Sequence, residues 1–112
     1  MIAFVDESQR DLSDGALYVV GAAIVTTGEE HRARQTLRKL LLPGQSHLHW
    51  SKERPARRRQ IAETIAELGL VVNATFQYPV GRKRVERARQ RCLLELVADL
   101  SADGVSELVI EA

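Results

Sequence analysis

The run "ALYVVGAAIV", Ala16 to Val25, constrains this chain more than any other feature. It carries no charged side chain, yet it is far shorter than the ~20 apolar residues that a membrane-spanning helix requires. Its β-branched content makes it a strand from Leu17 to Thr26. The small Gly21, Ala22 and Ala23 let another element pack close against it. Ile2 to Val5 is a shorter run of the same character. Between the two, residues 7 to 15 are polar and end in Asp14–Gly15, a pair suited to reversing the chain. The reading is of two antiparallel strands, with Asp6 and Glu7 where the first one ends.

Glu29 to Leu42 has helical period, with Ala33, Leu37, Leu40 and Leu41 on one side and Pro43–Gly44 as its stop. After the irregular "QSHLHWSKERP", a second helix starts near Pro55, shows Ile61, Ala62, Ile65 and Leu68 on one face, and ends at Gly69. "LVVNATFQY" alternates Val72, Ala74, Phe76 and Tyr78 as a third strand. A long helix over 82–101 follows, with Val85, Ala88, Cys92, Leu96 and Leu100 in a stripe. Then comes "ELVIE", a fourth strand. A strand reached through a helical crossover lies parallel to its neighbour, and strand one is the obvious neighbour. These elements predict an α/β fold, a mixed sheet with helices, in a single domain over residues 1–112 that buries roughly two-thirds of its unfolded surface.

Composition narrows the class. Hydrophobic residues at 45% and charged ones at 28% suit a globular chain. No basic stretch precedes an apolar run at the N-terminus, so no signal peptide is read and a cytoplasmic protein without membrane contact is expected. The single cysteine, Cys92, excludes an internal disulfide and a cysteine-based zinc cluster. The net charge of +1 conceals segregation: acids gather at the two ends, while the stretches around Arg57–Arg59 and "GRKRVERARQR" are strongly basic. Arginine outweighs lysine there, which suits bidentate phosphate contacts and predicts a nucleic-acid partner through Arg57, Arg58, Arg59 and Arg89. A solvated helix face is the equal alternative for any one run.

The predicted topology sets the ends of strands one and four side by side, and with them Asp6 and Glu111. Two carboxylates about 4 Å apart repel by roughly 4 kcal/mol at an effective dielectric near 20. A proton, an arginine or a metal ion must offset that, and hard oxygen ligands suit Mg²⁺ or Mn²⁺. Such a cation activates water for phosphodiester hydrolysis. The alternative is that Asp6 caps a turn and Glu111 is a solvated end residue. Glu86, in the first turn of the long helix, is the third acid; Glu95 lies about 13 Å further along the axis at 1.5 Å per residue. His49 can bind a metal, shuttle a proton or touch a phosphate. Arg89 falls on the apolar side of its helix, within reach of Glu86 or of a phosphate. Trp50 reads as an anchor for the connector.

"FVDES", "YVVGAAIV", "LHWSKE" and "LVIEA", in this order along the chain, resemble the domain-of-unknown-function 3800 family, which has an RNase H-like fold. The resemblance implies site residues at Asp6, the adjoining Glu7, His49 and Glu111. It departs at Gln9, where the family often has glycine. RNase H-like enzymes continue through a further helix, strand and acidic ligand, so the resemblance implies a domain truncated after the fourth strand. A strand left uncovered there is expected to self-associate. The expectation is thus a divalent-metal-dependent nuclease-like domain, inactive if incomplete, with a non-catalytic nucleic-acid-binding or regulatory module as the alternative.

Overall fold

The apolar run becomes β2, Gly15–Val25, in which alternate side chains are buried. The computed structural model describes residues 1–48 and 50–110. They form an α/β structure with a four-stranded mixed sheet and three α-helices, in two compact units: residues 1–25 with 71–112, and residues 26–70.

In the first unit, β2 pairs antiparallel with β1, Ile2–Leu12, through an unbroken register from Ile2↔Val25 to Leu12↔Gly15. Ser13 and Asp14 make the reversal, and Gly15 takes a φ of +134°, which a side chain would resist. The first strand was expected to stop at Val5, with a polar loop to follow. It instead runs on to Leu12. Every residue up to the reversal has a pairing position on β2, alternate ones bonded to its backbone, and polar side chains tolerate a strand arm that leaves them in water. Asp6 therefore stands in mid-strand, opposite Gly21.

The outer edge of β2 takes β3, Val71–Val80, also antiparallel, and the outer edge of β1 takes β4, Glu107–Ile110, in parallel. The order is β3-β2-β1-β4. The helical crossover to β4 is α3, Val85–Ala102, entered through a 3-10 turn at Arg82–Arg84. Its stripe of Ala88, Cys92, Leu96 and Leu100 is buried against Ala3, Val5, Tyr18, Val20 and Ala22 of the sheet. Burial pushes the Cys92 thiol pKa up, as inert packing would.

The pattern of β3 is inverted relative to this core. Thr75 is buried on the α3 side, paired with Val20, and its hydroxyl donates to the Cys92 carbonyl at 2.9 Å. Val72, Phe76 and Tyr78 point the other way and are exposed. The small, hydrogen-bonded threonine suits a close helix approach that a larger side chain would prevent. Near its end, β3 places two residues, Tyr78 and Pro79, opposite the single Leu17 of β2, between the pairs Tyr18↔Gln77 and Ala16↔Val80. The extra residue accommodates Pro79, which has no N–H to give the ladder, and returns Val80 to the core.

In the second unit, α1 spans Thr27–Arg38 and α2 spans Pro55–Leu68. Thr26 and Glu29 form a reciprocal cap at the start of α1, and Thr26 holds the Glu29 carboxyl below the usual carboxylate range. The helix was expected to reach Leu42. It ends at Arg38 because the chain tightens there, Leu40 and Leu41 bonding back to Leu37 and Arg38 at 3.1 Å. Pro55 and Gly69, the latter left-handed at φ 64°, bound α2 as the sequence implies. Of its expected face, Ile61 and Leu68 are buried, while Ala62 and Ile65 are exposed. Arg32 of α1 donates to the Leu68 carbonyl at 3.1 Å, joining the two helices. No helix among the described residues is long and apolar enough to cross a membrane.

Leu96→Ala is expected to lower stability by about 2–5 kcal/mol, because it opens a cavity under a fully buried side chain. Leu94→Ala, two residues away and 72% exposed, is expected to change it by about 0.5 kcal/mol or less. Urea unfolding followed by circular dichroism separates the two; equal midpoints would mean that α3 is not seated on the sheet.

Candidate functional site

Strand alternation sends Asp6 and Glu7 to opposite faces of β1. Glu7 lies on the α3 side, in step with Ala3 and Val5, while Asp6 is exposed on the other. The Asp6 carboxylate accepts the Glu7 N–H at 2.8 Å and has no other partner among the described residues. It sits one residue beyond the last parallel pair, Val5↔Ile110.

Glu7 is the centre of a polar cluster under α3. The Tyr18 hydroxyl donates to Glu7 Oε2, and Arg89 Nε donates to both carboxylate oxygens, at 2.9 and 3.2 Å. Arg89 also reaches Glu86 at 3.5 Å. Arg89 thus lies on the apolar side of its helix because a half-buried carboxylate waits there. The Tyr18 hydrogen bond, followed by that of Arg89 and its charge, holds the Glu7 carboxyl below its ordinary pKa against the opposing effect of burial. Burial and then the Glu7 carboxylate push the Tyr18 hydroxyl up to about 12. Glu86 is joined to Glu7 through Arg89, on the face of β1 away from Asp6.

The arginine triplet is deployed internally as well. Arg57 donates to the Leu40 carbonyl, to Gln60 at 2.8 Å, and lies 3.9 Å from the buried Glu53. Gln45 completes this clamp, bonding Glu53 at 2.9 Å. Arg58 donates to the carbonyls of Trp50 and Ser51 at 2.8 and 3.1 Å, and its guanidinium stands 5.6 Å from the Trp50 ring centre. Trp50 itself is 54% exposed, so it is held by Arg58 rather than sunk in a core. Arg59 pairs with Glu63 at 3.2 Å on the surface. Two of the three guanidinium groups therefore fasten the connector to α2.

A different set of arginines faces solvent in the first unit. Arg87 and Arg91 on one side of α3, and Arg84 at the end of the 3-10 turn that leads into it, line a concavity of about 340 Å³ with Gln77, Pro79 and Gly81 at the end of β3. Their guanidinium groups have no hydrogen-bond or ion-pair partner among the described residues. The basic run "GRKRVERARQR" signalled them; what separated them from Arg89 was the three-to-four-residue spacing of one helix face.

Glu111 and His49, both expected at the site, lie outside the described residues, so the Asp6–Glu111 pairing is not part of this geometry. Among the described residues no three His, Cys, Asp or Glu side chains are grouped to hold a metal ion. No protein-family model matches the chain, and neither a curated protein nor a solved structure matches it.

Two outcomes are expected. A lowered Glu7 pKa contributes stability above about pH 4.5, lost as pH falls through the folded value; a raised Tyr18 pKa contributes stability below pH 10, lost as pH climbs toward about 12. Tyr18→Phe should therefore flatten the alkaline limb of the urea midpoint and raise the Glu7 pKa, and an unchanged alkaline limb would remove the cluster from that role. Arg57→Ala should cost about 1–3 kcal/mol, because it strips the buried Glu53 and the Leu40 carbonyl of a partner. Arg59→Ala, compared in the same unfolding assay, should cost about 0.5 kcal/mol or less.

Proposed function

We propose that this chain is an RNase H-like domain of the domain-of-unknown-function 3800 kind, acting on nucleic-acid phosphodiesters with Mg²⁺ or Mn²⁺. The observation that carries the reading is Asp6: an exposed carboxylate with no cationic partner among the described residues, held by a rigid strand beside the end of the parallel β1–β4 pair. A hard, solvent-facing oxygen donor fits a hydrated divalent cation, which would supply Lewis acidity and an activated water. Asp6 furnishes one ligand; Glu111 and His49 enter the proposal from the sequence alone. Glu86 and Arg89 are tied to Glu7, and they act in this reading by stiffening β1 beneath the site.

The second reading, a non-catalytic nucleic-acid-binding module, is favoured by the arginine-lined concavity, which requires no metal. Cleavage of labelled DNA and RNA in Mg²⁺ or Mn²⁺ distinguishes the two. Asp6→Asn should slow cleavage by about 100-fold or more while leaving the unfolding midpoint in place, since the loss of several kcal/mol of charge stabilisation falls on the reaction. Metal-dependent cleavage that survives Asp6→Asn would sink the nuclease assignment at this residue.

A further inference from the structure

We infer that the trough between α3 and the end of β3 is a phosphate-tracking site for a nucleic-acid strand, with Arg84, Arg87 and Arg91 as its contacts. Three features of the first unit combine to make it. The first is spacing. Arg87 and Arg91 are one helical turn apart on α3, about 6 Å along its axis, and Arg84 stands at the end of the 3-10 turn just before it, so the three follow one another along the trough. The second is electrostatic. No carboxylate lines the concavity, and the acid nearest in sequence, Glu86, is turned to Arg89. The guanidinium groups are thus uncompensated among the described residues, in contrast with Arg57, Arg58 and Arg89, each of which bonds a carbonyl or a carboxylate of the chain. The third is shape. β3 ends at Val80, and α3 starts after Gly81 and one 3-10 turn, with a concavity between the strand end and the helix start. Gln77 adds a polar side chain on the strand side of the trough.

Three uncompensated guanidinium groups in succession are a poor fit for a neutral ligand and a good one for successive phosphates, each of which accepts a bidentate contact. A polyphosphate, a nucleotide or a polynucleotide shares that chemistry; the rise of about 6 Å between Arg87 and Arg91 is too wide for adjoining phosphates of a polyphosphate and suits the phosphodiesters of a polynucleotide. The neighbouring Arg82 and Lys83 extend the positive field at the same end of α3. This inference rests on the nucleic-acid part of the function proposed above and is independent of its metal chemistry.

The test is fluorescence anisotropy of labelled oligothymidylate and oligouridylate with the full chain, in EDTA so that no cleavage occurs, across a range of salt. Arg87→Ala with Arg91→Ala should weaken binding at least about tenfold and reduce the salt slope by about 0.7 for each arginine removed, the value for single strands. Arg87→Lys with Arg91→Lys should retain most of the slope. Lys39→Ala with Lys52→Ala, an equal loss of charge on exposed residues of the second unit, should leave affinity within about twofold. Unfolding midpoints of each variant exclude a folding defect. An unchanged slope in the arginine-to-alanine variant would overturn the site. Displacement of the strand by inorganic pyrophosphate at equal phosphate concentration would overturn the polynucleotide assignment in favour of a small phosphate ligand. Loss of binding in EDTA with intact Asp6 identifies failure of the trough; retained binding without cleavage in Mg²⁺ identifies failure of the nuclease reading.

Discussion

The register of the β1–β2 hairpin governs the rest of the molecule. It runs without interruption from Ile2↔Val25 to Leu12↔Gly15, so one frame decides the facing of every residue in both strands. With that frame Ala3, Val5 and Glu7 meet α3 and Asp6 meets solvent. A slip of β1 by one residue would turn Asp6 to the helix face and Val5 to the other. Each remaining strand adds to an edge that this hairpin defines, β3 on β2 and β4 on β1. The buried row of Tyr18, Val20, Ala22 and Ile24 sets which face of the hairpin meets α3.

Arginine has two uses here, and proximity in sequence does not separate them. Arg57 and Arg58 look like the most basic point of the chain, yet they bond main-chain carbonyls in a connector with little regular structure of its own. A guanidinium with several donors can fasten such a segment, because irregular backbone leaves carbonyls without ladder or helix partners. Arg89 does the same for a half-buried carboxylate. Arg84, Arg87 and Arg91 have no such duty among the described residues, and the charge they carry is directed to solvent.

The order of elements was legible because each signal is local: the apolar run of β2, the stripe of α3, Pro55 and Gly69 around α2. The parallel pairing of β4 with β1 followed from chain connectivity, since a helical crossover permits little else. What was not legible depended on partners remote in sequence. Residues 7 to 12 read as loop from their polarity, but they pair with Gly15–Val20, and a strand arm in water needs only that. The prominence of Asp6 was visible; the engagement of Glu7 by Tyr18 and Arg89 was not, because Arg89 lies on a helix far along the chain. The alternation in β3 was seen, but its direction was not: Thr75 rather than Phe76 faces the helix, where its hydroxyl bonds the Cys92 carbonyl, a contact that no pattern of hydrophobicity encodes.

The way the second unit is spliced into the first has a consequence for how chains of this plan can vary. Residues 26–70 leave the sheet after Val25 and return at Val71, and Val71 is paired with Ile24 on the neighbouring strand. The exit and re-entry points are therefore about one strand spacing apart, roughly 5 Å. A segment with adjoining ends can grow, shrink or be exchanged while the hairpin, the crossover helix and the β1–β4 pair keep their frame, since loop closure adds only about 0.6 kcal/mol for each doubling of length. Selection can thus act on the length and sequence of the helical insert while the pairing frame of the sheet stays as it is.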